Sequence, residues 1–157
     1  MTSSAPVRVR ERMFWCRADA LAVWLAHVVE EIRVRGDAPE WLQSLEQDWA
    51  VAAGFPDFGL HWDPEDDAGL LVLAGICAAA AVRAQNAGDL TADRLRRWEI
   101  LDGMAVAGGN EGRPVELDRV LEVGTAFRGL LDGTLPADPP GRHWFLGTGE
   151  GRQPTDR

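Results

Sequence analysis

The chain has no lysine and no tyrosine, and only two cysteines, three histidines and three serines in 157 residues. Each scarcity removes a class of function. Two cysteines, Cys16 and Cys77, are too few for a disulfide scaffold or a zinc ribbon. Cys77 lies in an apolar run, where a thiol behaves as a small hydrophobe. None of Ser3, Ser4 and Ser44 stands in a Gly-x-Ser-x-Gly setting, so no nucleophile elbow is present. The Gly-rich segment 108–112 lacks the Lys-Ser/Thr of a phosphate-binding loop, and an anion at the following helix start is its only ligand reading. No nucleophile–base pair stands out, so no catalytic residue is assigned and the sequence does not decide whether the chain is an enzyme. The N-terminus lacks an apolar signal-peptide core. The longest apolar run, Ala68–Val82, holds fifteen residues, short of the ~20 that a membrane span needs. A cytoplasmic protein without a membrane anchor is expected.

Basic residues are also missing from one long interval. All sixteen are arginines, and none falls between Arg35 and Arg83. That interval contains nine acids: Asp37, Glu40, Glu46, Asp48, Asp57, Asp63, Glu65, Asp66 and Asp67. The net charge is -9. An acidic field of this kind repels phosphate backbones and attracts basic surfaces, so nucleic acid is not an expected partner.

What is present reads as helical. Apolar spacing predicts helices over Asp19–Val34, Ala38–Ala53, Pro64–Ala87, Ala92–Ala107 and Pro114–Leu131. The third carries no charge from Ala68 to Val82. An all-apolar helix has to be enclosed on every side, so the segment 68–87 is expected at the centre, with neighbouring helices packed closely on Gly69, Gly75 and the run Ala78–Ala81. The fold expected is all-α: a single-domain bundle of about five helices over 18–135, an N-terminal arm over 1–17, and an irregular Pro/Gly-rich tail over 136–157. Short extended pieces are read at Pro6–Arg10, Gly59–Trp62 and Arg142–Leu146. The first, alternating Val and Arg, suits an edge strand or an arm.

Four groups of residues invite a functional reading. Asp63, Glu65, Asp66 and Asp67 have oxygen ligands for a cation, but lack the alternating pattern of a Ca²⁺ loop. Asp63 as helix cap, with acids in the first turn, explains them more simply. No metal or cofactor is expected. His27 stands three and four residues before Glu30 and Glu31, which reads as an ordinary contact on a helix surface. The dipeptide His-Trp occurs twice, at His61-Trp62 and His143-Trp144, and two imidazoles near neutrality could serve one ligand site at an end of the bundle. Seven tryptophans are mostly core material, but Trp41 and Trp62 lie in the acidic interval, where an exposed ring anchors a basic partner.

The leading expectation is therefore a protein-interaction module. Its acidic surface over 37–67, with Trp41, Glu46, Asp48, Asp57, Trp62 and Asp63 as contact residues, would bind a basic protein. Small acidic helical proteins that neutralise a toxin enzyme work this way, so an immunity or antitoxin role is one concrete form. The alternative is a small-ligand-binding protein or enzyme with His61, Trp62, His143 and Trp144 at its site. A homodimer, with the arm of one subunit across the next, is a further partner the sequence allows.

Overall fold

Alternation begins at the N-terminus and decides the architecture. In the computed structural model, which describes residues 3–108, 112–135, 142–145 and 153–156, Ala5, Val7 and Val9 of β1 (Ser4–Val9) are buried, as are Phe14 and Cys16 of β2 (Arg12–Arg17). Residues of one strand that face one way must share a hydrophobic partner layer. That layer is α1 (Ala18–Arg33), which follows β2 directly, together with α5 (Leu117–Asp132). Between them in sequence come α2 (Glu40–Gly54), a 3-10 turn (Pro56–Phe58), β3 (Leu60–Trp62), α3 (Asp67–Ala87), α4 (Ala92–Arg97), β4 (Glu99–Leu101) and β5 (Met104–Ala105). Two strands follow α5, namely β6 (Arg142–Phe145) and β7 (Gln153–Asp156). The main sheet has the order β3-β1-β2-β6-β7. β1 and β2 form an antiparallel hairpin, β3 runs parallel to β1, and β6 runs parallel to β2.

The fold is thus mixed, with five helices and two small sheets among the described residues, and the all-α expectation is wrong. The expected arm is the hub of the larger sheet. β1 is short and carries Arg8 and Pro6 among its six residues, so it does not announce itself as an interior strand. Its second partner, β3, supplies only three residues. Gly59 makes that pairing possible. It sits at φ 74°, and any Cβ there would collide with the Pro6 carbonyl oxygen. The fourth helix also ends early, at Arg97 rather than Ala107. The residues beyond it form the β4–β5 hairpin, turned by Asp102-Gly103 with Gly103 at φ 78°. An Asp-Gly pair between apolar residues is a strong hairpin signal, and it overrides helical spacing here.

The second correction concerns the centre. In α1, thirteen of sixteen residues are buried, from Ala18 without a break to Val29 and again at Ile32. In α3, only Leu73, Ile76, Cys77, Ala80 and Ala84 are buried, out of twenty-one residues. The outer side of α3 shows Leu71 at 76% exposure, with Val72, Gly75 and Val82 also exposed. α3 is long and apolar enough to cross a membrane by length and composition alone, yet its inner side packs against α1 and α5. Alanine and glycine make α3 apolar without giving it much surface to bury. Burial free energy scales with apolar area, so the wide side chains of α1 claim the middle.

Gly75, expected at a close helix contact, has nothing within 4 Å of the position a Cβ would take. The close approach is at Gly124 in α5, where a Cβ would lie 2.7 Å from the Trp24 ring. Trp24 is fully buried, and its ring also meets Phe127 at a centroid distance of 6.4 Å. Cys16 and Cys77 are both free thiols in the core, and burial raises the pKa of each.

These two glycines make opposite predictions for urea unfolding. Gly124→Ala forces methyl against indole and is expected to destabilise the chain by about 1–3 kcal/mol. Gly75→Ala removes a helix-interior glycine at an open site and is expected to stabilise it by about 0.5–1 kcal/mol. A Gly124→Ala protein as stable as the wild type would show that Trp24 does not occupy that notch.

Candidate functional site

α2 places Trp41 and Asp48 seven residues apart, hence two turns apart on one side of the helix. Trp41 is 39% exposed and stacks on Trp62, with ring centroids 6.3 Å apart and planes at 9°. The buried Trp49 meets the same Trp62 ring edge-on at 6.1 Å. Behind the stack stands Gly69 of α3, where a Cβ would come to 3.6 Å from Trp62 and 3.7 Å from Trp41. The three indoles therefore tie α2, β3 and the start of α3 together, and one of them still faces solvent.

The acids expected around this stack divide into two sets. Asp48 and Asp63 are exposed, and neither has an ion pair among the described residues. Glu46 accepts a hydrogen bond from the Arg33 guanidinium, and Asp57 accepts one from the Ser3 hydroxyl. The helix cap is Asp66 rather than Asp63; its carboxylate accepts from the Ala68 and Gly69 amides at 3.1 and 3.4 Å. Asp67 pairs with Arg10 at 2.9 Å. Among the described residues, no three His, Cys, Asp or Glu side chains come close enough to hold a metal.

Exposed apolar side chains are concentrated in the same interval. Val51 and Phe55 continue along the solvent side of α2, and Phe58 in the following turn is 88% exposed. Of the exposed large hydrophobic residues described, every one but Val34 lies in the stretch 36–82 that contains no basic residue.

His61 stands elsewhere. It is exposed on β3, beside Arg8 of β1, and lines an open cleft of about 1080 Å³. The cleft runs between the β1–β2 turn and the facing ends of α3 and α5. Arg8, Arg10 and Arg12 contribute from the turn, and Asp63, Asp67 and Asp132 from the other side. Arg10 adopts φ 55°, a left-handed conformation that is uncommon outside glycine. The Thr134 hydroxyl holds the Asp132 carboxyl below the usual carboxylate range. The second His-Trp pair lies on β6, across the β1–β2 hairpin from β3. Three strand spacings, about 14 Å, separate the two strands. The two His-Trp segments thus do not meet along the main chain, and the side chains of His143 and Trp144 lie outside the described residues. So do residues 109–111 of the Gly-rich loop.

His27 is the residue the sequence reading misplaced. It is 3% exposed, not on the helix surface, and its ring lies 4.9 Å from that of Trp98. Its Nδ1 is buried with no hydrogen-bond partner. Burial, aided by the nearby Arg83 charge, lowers its pKa from 6.5 to about 4, so the ring is neutral near pH 7. A signal for this was available. From Ala20 to Val29 the helix is apolar on all sides but for His27. A second hollow, of about 480 Å³, opens beside it and is lined by Glu30, Arg83, Arg94, Arg97 and Trp98 among others. No family model, curated protein or solved structure matches the chain.

The depressed His27 pKa carries a sign. The unfolded chain takes up this proton near pH 6.5 while the folded chain resists it until about pH 4. The stability it contributes is complete above pH 6.5 and is lost as the pH falls toward 4. Urea titrations are expected to show a loss on the order of 1–2 kcal/mol between about pH 7 and pH 5, before carboxylates titrate, with a flatter profile in His27→Leu. Parallel profiles for the two proteins would place the titrating group elsewhere.

Proposed function

We propose that the chain is a protein-interaction module that receives a basic partner protein on the face formed by residues 37–67. One observation carries this reading. The exposed apolar side chains and the unneutralised acids occupy the same stretch of chain, which holds no basic residue. Apolar anchors inside a charged rim are the usual anatomy of a protein interface. Trp41 is the central anchor, because Trp62 and Trp49 already fix the ring it stacks on and little side-chain freedom remains to be lost on binding. Asp48 and Asp63 supply the charge that orients the partner. Glu46 and Asp57 act within the chain, tying down Arg33 and Ser3. Neutralisation of a basic toxin enzyme is one form such a module takes, and the cytoplasm is the compartment we assign to it.

A basic amphipathic helical peptide, with arginines on one face and leucines on the other, is the probe. Fluorescence anisotropy is expected to give a Kd that weakens at least about tenfold in Trp41→Ala and in the double variant Asp48→Arg/Asp63→Arg. It should also weaken steeply with salt. Equal affinity for the variants, or equal binding of a peptide with glutamates in place of the arginines, refutes the reading.

The cleft beside His61 favours a second reading, a small-molecule site between Arg8 and Asp63. Crystals soaked in small anionic and zwitterionic fragments test it: a fragment bound to His61 supports the reading, and a cleft empty after every soak removes it.

A further inference from the structure

The hollow between α1, α3 and α4 belongs to neither reading above. We propose that it is a binding site for a small phosphate monoester, with Arg94 and Arg97 holding the phosphate and with His27 and Trp98 forming its inner wall. Three observations converge on this. The hollow measures about 480 Å³, within the range of small-ligand pockets. Its wall contains a polar side chain that is 3% exposed and has an unpartnered ring nitrogen. A buried polar atom without a partner is costly, and because Nδ1 is closed to solvent the ring must turn toward the hollow for a ligand oxygen to meet it. The ring of Trp98, half-buried beside His27, gives an apolar surface for the organic part of an ester.

The charges select the ligand. Three guanidinium groups line the hollow in a chain whose net charge is -9. Arg83 is held by Glu31 through two hydrogen bonds of 2.9 and 3.1 Å. Glu30, the only acid lining the hollow among the described residues, pairs with Arg33 at 3.1 Å. Arg94 donates to the Ala87 carbonyl at 3.4 Å, which offsets the negative end of α3 at this point. Neither Arg94 nor Arg97 has a carboxylate partner among the described residues, so two positive charges remain. A phosphate monoester carries about -1.5 to -2 near pH 7, and its oxygens fit the guanidinium fork. A carboxylate matches only half that charge. His27 is neutral there, so it can offer a hydrogen bond without adding repulsion between cations.

The test uses the full chain, with phenyl phosphate as the probe and the His27 imidazole carbons as the NMR reporter. A saturable shift is expected, with affinity at least about tenfold weaker in Arg97→Gln. Arg96→Gln is the control. Arg96 lies on the same helix with the same charge, but it pairs with Asp93 and does not line the hollow. It should change the affinity by less than about twofold. Benzoate, with the same ring and a single charge, should bind at least about tenfold more weakly than phenyl phosphate. Three results would each overturn the proposal: no saturable shift at His27, equal weakening by Arg96→Gln and Arg97→Gln, or benzoate binding as tightly as phenyl phosphate.

Discussion

The enclosure of α1 is the constraint on which the rest of the molecule depends. From Ala18 to Val29 no residue of this helix reaches solvent appreciably, so no side of it is left without a neighbour. The sheet and α5 cover it where Ala5, Val7, Phe14 and Cys16 turn inward. α2 and α3 close the remaining sides. A helix of this kind is stable only when every neighbour is in place. The tightest fit is the Trp24 indole in the notch at Gly124, where no side chain wider than hydrogen leaves room for the ring. Two polar residues fall within the enclosed stretch, and each is accommodated differently. Asp19 is met by the Arg17 guanidinium at 3.1 Å and by the Ala20 amide at 2.7 Å. His27 gives up its charge and leaves Nδ1 unbonded. The second is the less stable arrangement, and it is the one beside an open hollow.

The contrast between α1 and α3 shows how far hydropathy is legible and where it misleads. Both helices are apolar, and α3 has the longer uncharged run. Its alanines and glycines offer little area, whereas Leu21, Trp24 and Leu25 of α1 offer a great deal. The driving force follows area removed from water and not the count of apolar letters. The helices themselves were legible from spacing, with ends displaced by a few residues except in the fourth, which stops ten residues early at Arg97. The sheet was not. Its two long strands have six residues each, and the register that joins β1 to β3 closes across more than fifty residues of chain. The Asp102-Gly103 hairpin was readable in principle, but the spacing of Leu95, Trp98 and Leu101 suggested a longer helix.

The surface proposed for a basic partner rests on features that were legible to a similar partial degree. The nine acids and the absence of bases are sequence facts, and the exposure of Trp41 agrees with its place at the start of an acidic helix. What composition could not reveal is which acids have partners. Glu46 meets Arg33 and Asp57 meets Ser3 through contacts that exist only once α1, α2 and β1 have docked. Arg33 and Arg83 flank the interval, and their pairs with Glu46 and Glu31 fasten α1 to α2 and to α3.

Segregation of charge along the chain carries over into the structure only in part. The exposed Trp41, Val51, Phe55 and Phe58 lie in the same stretch of chain as the acids of 37–67, although Asp63 and Asp67 face Arg8, Arg10 and Arg12 across the cleft, while Arg83, Arg94 and Arg97 line the hollow beside the buried His27. Exposed ion pairs contribute little to stability, typically ~0–1 kcal/mol each. Fold stability alone therefore gives no reason to keep two charges at Arg94 and Arg97 without acidic partners in a protein so acidic overall. Had they served only solubility, they would reduce the net charge that keeps the chain dispersed. Their position around a hollow beside the buried His27 is what the proposed phosphate site accounts for.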